Sequence, residues 1–207
     1  MSFDVILNAF VTFFVTIDPP GLAGMFLALT SGMSAIDRRQ LALRGTLIGA
    51  AILVVFMIVG SSLLATMGIS INAFRVAGGL LLFYIAFEMV FEKRSDRKED
   101  ATGRIVSAKE LQSLAVFPLA IPMIAGPGAI SAAILLAADF VWLVDRLILI
   151  GILLSVCLLV YLFFLLAGQL QKYVGETGQT ILTRLLGILL AALSVQFVVD
   201  GLKAMLL

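Results

Sequence analysis

Asp18 is the residue in this chain whose position most demands a chemical reason. Residues 5–30 form an apolar run whose interior carries polar side chains only at Asn8, Thr12, Thr16 and Asp18. At 1.5 Å of helical rise per residue, Asp18 lies roughly 20 Å into that run, near the centre of a hydrocarbon layer about 30 Å thick. An ionisable group at that depth binds a cation, a proton or a substrate ammonium group. A structural role is compatible with this: Asp18 is a helix N-cap, Pro19 occupies the first helical position that tolerates proline, and Gly21 eases the bend. Asn8, Thr12 and Thr16 recur every four residues, so they share the helical face that leads to the break. They either line a path or make interhelical hydrogen bonds.

A second constellation, Ile121-Pro-Met-Ile-Ala-Gly-Pro-Gly-Ala-Ile130, lies in another apolar run. Pro118, Pro122 and Pro127 each remove a backbone donor, which in a helix leaves the carbonyls of Leu114, Pro118 and Met123 unpaired. Lipid cannot satisfy such groups, so they must face protein, ion or water. Beyond the break, Gly126, Pro127 and Gly128 open a half-helix whose first N–H groups and positive dipole end attract an anion such as a carboxylate. A proline-kinked helix sealed by its neighbours is the simpler alternative. Pro20 and Gly21 precede Pro127 and Gly128 by 107 residues. Two breaks at matching depth are the pattern from which a transporter's midplane site is read.

Other chemistries lack their residues. The chain has no histidine, so a Ser-His dyad is absent, and Ser131 has no evident base. No second midplane aspartate offers a carboxylate dyad. Cys157, the single cysteine, lies in an apolar run and reads as a small hydrophobe. No cofactor is implied beyond a proton or sodium ion as coupling ion. A net charge of +1 excludes the clustered basic surface that nucleic acid requires.

The elements that must hold these residues are membrane helices, because 62% of the 207 residues are apolar and only 13% charged. Six spans are expected, near residues 5–30, 46–67, 74–91, 114–138, 147–166 and 181–199, with residues 31–44 as a polar connection. The N-terminus lacks the basic region of a signal peptide, so the first span is expected to be retained. Residues 92–110 hold six basic and five acidic residues, a solvated linker between repeats 1–91 and 111–207. Arg75 and Gly78 match Arg184 and Gly187 at an offset of 109, and Gly45-xxx-Gly49 matches Gly151-xxx-Ser155 at 106. These likenesses point to an internal duplication, and a three-span unit repeated in series is inverted. Eleven of fourteen basic residues fall on the side of the linker, which makes that side cytoplasmic and places both termini outside. Arg75 and Arg184 sit near span ends, where snorkelling to headgroups is expected ahead of the alternative, substrate contact.

Asp18-Pro-Pro-Gly21, Ile69-Ser-Ile-Asn-Ala-Phe-Arg-Val-Ala-Gly-Gly79, the run from Phe117 through Pro118, Pro122 and Pro127 to Ile130, and Arg184-Leu-Leu-Gly187 resemble segments of the MarC family, in family order. That family includes SnatA-type neutral amino acid transporters. The resemblance implies an all-α polytopic protein of the inner or cytoplasmic membrane and, for some members, transport of alanine, glycine or serine. The expectation is therefore six transmembrane helices in two inverted three-helix repeats, each opening with a discontinuous helix. Its partners are the bilayer and a small neutral solute, and a homo-oligomer is compatible with this. Substrate contacts are expected at Thr16, Asp18, Pro20, Gly21, Gly126, Pro127 and Gly128. A passive channel, an assembly factor without turnover and an intramembrane enzyme are the alternative functions.

Overall fold

The computed structural model describes residues 3–30, 32–91, 108–140 and 142–206. Helix α1 (Phe3–Ile17) buries Ala9, Phe13 and Ile17, spaced four apart on one face. It stops because Pro19 disfavours the right-handed helical conformation at Asp18, which adopts φ 57°, ψ 62° instead. Aspartate is among the few residues with a side chain that accept this left-handed region. Helix α2 (Pro19–Leu29) then restarts and completes the crossing to Thr30. Together they span residues Phe3–Leu29.

Helix α3 (Ala35–Thr66) is 32 residues long and begins well before the span expected from hydropathy. Residues 35–44 are helical, not a polar connection. Ser34 caps the Asp37 N–H at 3.1 Å and donates its hydroxyl to the Asp37 carboxylate at 2.7 Å. Leu, Ala, Arg and Gln then propagate the helix, since charge ends a membrane span but not a helix. Its length of about 48 Å exceeds the hydrocarbon core, so the arginine-bearing turns project beyond it. A short turn, with Gly68 at φ 71°, leads to α4 (Ile71–Val90), capped by Ser70 on the Ala73 N–H.

The second half opens with α5 (Ala108–Leu114), an irregular proline-bearing stretch (Ala115–Ile124) and α6 (Pro127–Asp139). Phe117 and Ile121 leave the helical region, each immediately before a proline, and both following peptide bonds are cis. The path bends by 61° between Leu111–Ile124 and Pro127–Asp139. The helical run Leu143–Leu206 is broken at Gly175 (φ 67°, ψ 172°), giving α7 (Leu143–Gln169) and α8 (Thr180–Leu206). Most of the linker, residues 92–107, lies outside the described residues.

The described residues thus form an all-α bundle with five helices long and apolar enough to cross a membrane, or six when the bent pair is one span. Its core combines Phe13, Leu22 and Phe26 with Leu53, Leu119, Ile124 and Phe164, and the Phe26 and Phe164 rings stack at 4.3 Å. Val15, Leu82, Ala86, Leu186 and Leu190 form a smaller core at α4 and α8. Leu47, Val55, Ile58, Leu158, Leu185 and Ile188 are each more than half exposed, an apolar exterior that only lipid or another apolar surface suits.

Small residues set how closely these helices approach. A side chain added at Gly79 would meet the Ser194 carbonyl oxygen at 2.8 Å, and one at Gly187 would meet Met89 Cβ at 2.9 Å. Gly78 faces Ser131, while Gly45 and Gly49 seat Leu119 and Ile124. Gly151, matched to Gly45 in the sequence, is placed differently. It is exposed, with nothing within 4 Å of an added Cβ, so the Gly151-xxx-Ser155 notch packs against no helix within the chain.

Candidate functional site in the broken helices

Asp18 is 1% exposed, between the two halves of the first span. Its Oδ1 accepts the Gly21 N–H at 3.1 Å, its own N–H donates to the Phe14 carbonyl at 2.9 Å, and its carbonyl accepts the Leu22 N–H at 2.9 Å. Asp18 is therefore both the left-handed cap of α1 and the N-cap of α2. Pro19 and Pro20 have no N–H, so every backbone donor in the first turn of α2 is accounted for. That end offers no free amide to an anion. Pro19 and Pro20 are buried and Gly21 is half-buried beneath the Asp18 carboxylate, which fills the space a β-carbon would need.

The start of α6 is built differently. Gly126 is its N-cap and provides no side chain, Pro127 lacks an N–H, and the Ile130 N–H donates to the Gly126 carbonyl at 2.9 Å. The Gly128 and Ala129 N–H groups have no side-chain cap. They carry the positive end of the α6 dipole, and Ser131 in the following turn is buried. Gly128 is buried against Leu82 and Ile85 of α4, whose methyl carbons would lie 2.7 and 2.9 Å from an added Cβ. Gly126 is half-buried and Pro127 exposed.

The two breaks share one core. α1 packs on α6 and α2 on the proline-bearing stretch, and a single apolar cluster includes Ile17 and Leu22 beside one break and Ile124, Ala125 and Ala129 around the other. Thr16 contributes less than its position promised. Its hydroxyl turns back to the Thr12 carbonyl at 2.7 Å and the Phe13 carbonyl at 3.2 Å, leaving only acceptor lone pairs. Thr12 is buried and donates to Asn8 Oδ1 at 3.5 Å, while Asn8 itself is exposed.

Sequence reasoning missed three polar contributions. Thr46 of α3 is buried with a hydroxyl lacking any partner, and nothing in its local pattern marks it. Glu88 is buried on α4 although it falls near a span end. Arg75 does more than snorkel: its guanidinium pairs with Asp139 at 2.8 Å, tying the start of α4 to the end of α6.

A family model described as MarC family integral membrane protein matches residues 3–206. The chain belongs to that family. Among its MarC relatives, a UPF0056 membrane protein of Archaeoglobus fulgidus is 36% identical over 94% of this chain and 90% of its own length. UPF0056 membrane protein MJ1677 of Methanocaldococcus jannaschii is 35% identical over the whole of both chains. UPF0056 membrane protein YhcE of Escherichia coli is 33% identical over 98% of this chain and 94% of its own. No solved structure matches the chain at a significant level. The MarC assignment makes this an integral multi-pass membrane protein, and the names of these relatives describe membrane proteins without an activity.

Proposed function

We propose that this MarC protein is a secondary transporter of a small zwitterionic solute, of the size and charge of alanine, glycine or serine. The observation that carries this is the pair of broken helices meeting in one core, one presenting a buried carboxylate and the other an uncapped positive end. A zwitterion has complementary ends. Its carboxylate is placed at the Gly126–Gly128 turn, where Gly128 and Ala129 keep their N–H groups, and its ammonium or the coupling cation near Asp18. Thr16, Pro20 and Gly21 shape the Asp18 side of this site through the backbone rather than by donating to the solute.

The two halves, residues 1–91 and 111–207, act as inverted repeats that rock against each other in the cytoplasmic membrane, under a proton or sodium gradient. Reconstitution tests this. Proteoliposomes are expected to take up a labelled neutral amino acid saturably under one of these gradients, with at least a tenfold loss in Asp18→Asn. Failure of every neutral amino acid under both gradients would remove the substrate class, and linear, unsaturable flux would indicate a channel.

A further inference from the structure

We propose that the inward face of α3 between Arg38 and Gly49 lines a solute route from the N-terminal end of α3 to the turn at Gly126–Gly128, with the Arg38 guanidinium and the Thr46 hydroxyl as donors to the solute's carboxylate. This rests on the transport reading and adds to it a route and two residues that hold the negative group.

Two unspent donors lead there. Among the described residues, the buried side-chain polar atoms without a hydrogen-bond partner are Arg38 Nε and Thr46 Oγ1. Both belong to α3. Their sequence separation places them about 12 Å apart along the helix axis and within about 80° of each other around it. Thr46 is 6% exposed. A membrane threonine ordinarily returns its proton to its own helix, as Thr16, Thr30 and Thr66 do at 2.7, 2.7 and 2.9 Å. Thr46 does not. A buried donor left unpaired carries its whole desolvation cost, so a partner must arrive to offset it.

Arg38 decides the sign of that partner. It holds the far end of α2, donating from Nη2 to the Thr30 carbonyl at 3.4 Å, and keeps Nε. A guanidinium has only donors and a positive charge, so it selects a negative acceptor such as a carboxylate. The adjacent Asp37 is engaged elsewhere, accepting the Ser34 hydroxyl at 2.7 Å.

Small residues join the two donors to the second break. Ala42, Gly45 and Gly49 are buried on this face, and the two glycines seat Leu119 and Ile124 of the proline-bearing stretch. Ile124 leads directly into the turn that opens α6. A carboxylate moving inward from the N-terminal end of α3 thus meets Arg38, then Thr46, then the Gly128 and Ala129 N–H groups. Leu119 and Ile124 shut this face in the structure. Their contact with the glycine notch is apolar on both sides, so the stretch can lift away without breaking a hydrogen bond there.

Alkylation by iodoacetate, a small carboxylate that needs aqueous access, tests the route on the purified full-length protein in detergent. Cys157, buried on α7, is the reference thiol. Thr46→Cys in a Cys157→Ala background is expected to react at least tenfold faster than wild-type Cys157, and adding Arg38→Gln to slow it severalfold where Arg38→Lys does not. Thermal unfolding supplies the second arm. Thr46→Val removes an unpaired hydroxyl at nearly constant shape, so without solute its midpoint is expected to rise by a few degrees, while Thr46→Ser stays near wild type. Alanine, glycine or serine raises the wild-type midpoint saturably if the folded state binds it. Thr46→Val is expected to need at least tenfold more of that amino acid, and Thr46→Ser about as much as wild type. An unreactive Thr46→Cys would overturn the route, because the face never opens. A Thr46→Val less stable than wild type without solute would overturn it as well, because the hydroxyl then already has a partner, and so would equal solute responses in Thr46→Val and wild type. A reactive Thr46→Cys in a protein that no neutral amino acid stabilises would keep the route and lose the substrate class of the transport reading; an amino acid response with an unreactive Thr46→Cys would do the reverse.

Discussion

Gly21 is fixed by one atom group, the carboxylate of Asp18. A β-carbon there would overlap Asp18 Oδ2 and lie 2.7 Å from Asp18 Cγ. The obstacle is a buried cap rather than the mobile tip of a surface side chain, so it cannot swing aside without giving up the Gly21 N–H. Gly21→Ala is therefore expected to destabilise the protein by about 1–3 kcal/mol, combining a lost cap with overpacking, read as a lower unfolding midpoint in detergent. Asp18→Gly removes the obstacle, so the double variant is expected to recover most of the loss. This break was legible in the sequence because proline and aspartate act locally: Pro19 forbids the helix at the residue before it, and aspartate accepts the alternative. The Thr16 back-bond was not legible, since a helical threonine can face its own carbonyl or a neighbour, and only packing decides.

Helix pairs carry a different logic, in which the same residue type has opposite effects according to what it faces. Gly79 lies against the backbone of α8, with the Ser194 carbonyl 2.8 Å and the Val198 nitrogen 3.1 Å from an added Cβ. Backbone cannot rotate away, so Gly79→Ala must separate α4 from α8, at an expected cost of about 1–3 kcal/mol. Gly151 faces open space on α7, where alanine gains helix propensity worth about 0.5–1 kcal/mol over glycine. Gly151→Ala is expected to be neutral or stabilising in the same unfolding assay. A loss there as large as that at Gly79 would indicate a second chain or a bound lipid packed on that notch. The sequence made Gly79 and Gly151 look alike because both sit in small-residue patterns, and pattern alone does not say which face a partner covers. Residues 35–44 were misassigned for a related reason. Hydropathy measures fitness for lipid, while the Ser34 cap and the helix-forming residues after it build a helix that continues past the membrane.

At the scale of the whole molecule, the open quantity is how many times the chain crosses. Five helices qualify alone, and the pair Leu111–Ile124 with Pro127–Asp139, bent by 61°, is either a sixth crossing or a re-entrant loop. The two cases differ in parity. Six crossings put both termini on one face, and the bias of basic residues predicts that this face is the outer one, opposite the linker. A re-entrant loop leaves five crossings and separates the termini. Cys157 is the single cysteine in the chain and is buried, so Cys157→Ala provides a background for single new thiols. On intact cells, a membrane-impermeant maleimide is expected to label Ser2→Cys and Lys203→Cys but not Ser95→Cys, which should react only after lysis. Labelling of Ser2→Cys and Lys203→Cys from opposite faces would make the second break a re-entrant loop. The two halves could not then be inverted copies, because the turn at Gly126–Gly128 would enter and leave by the same side.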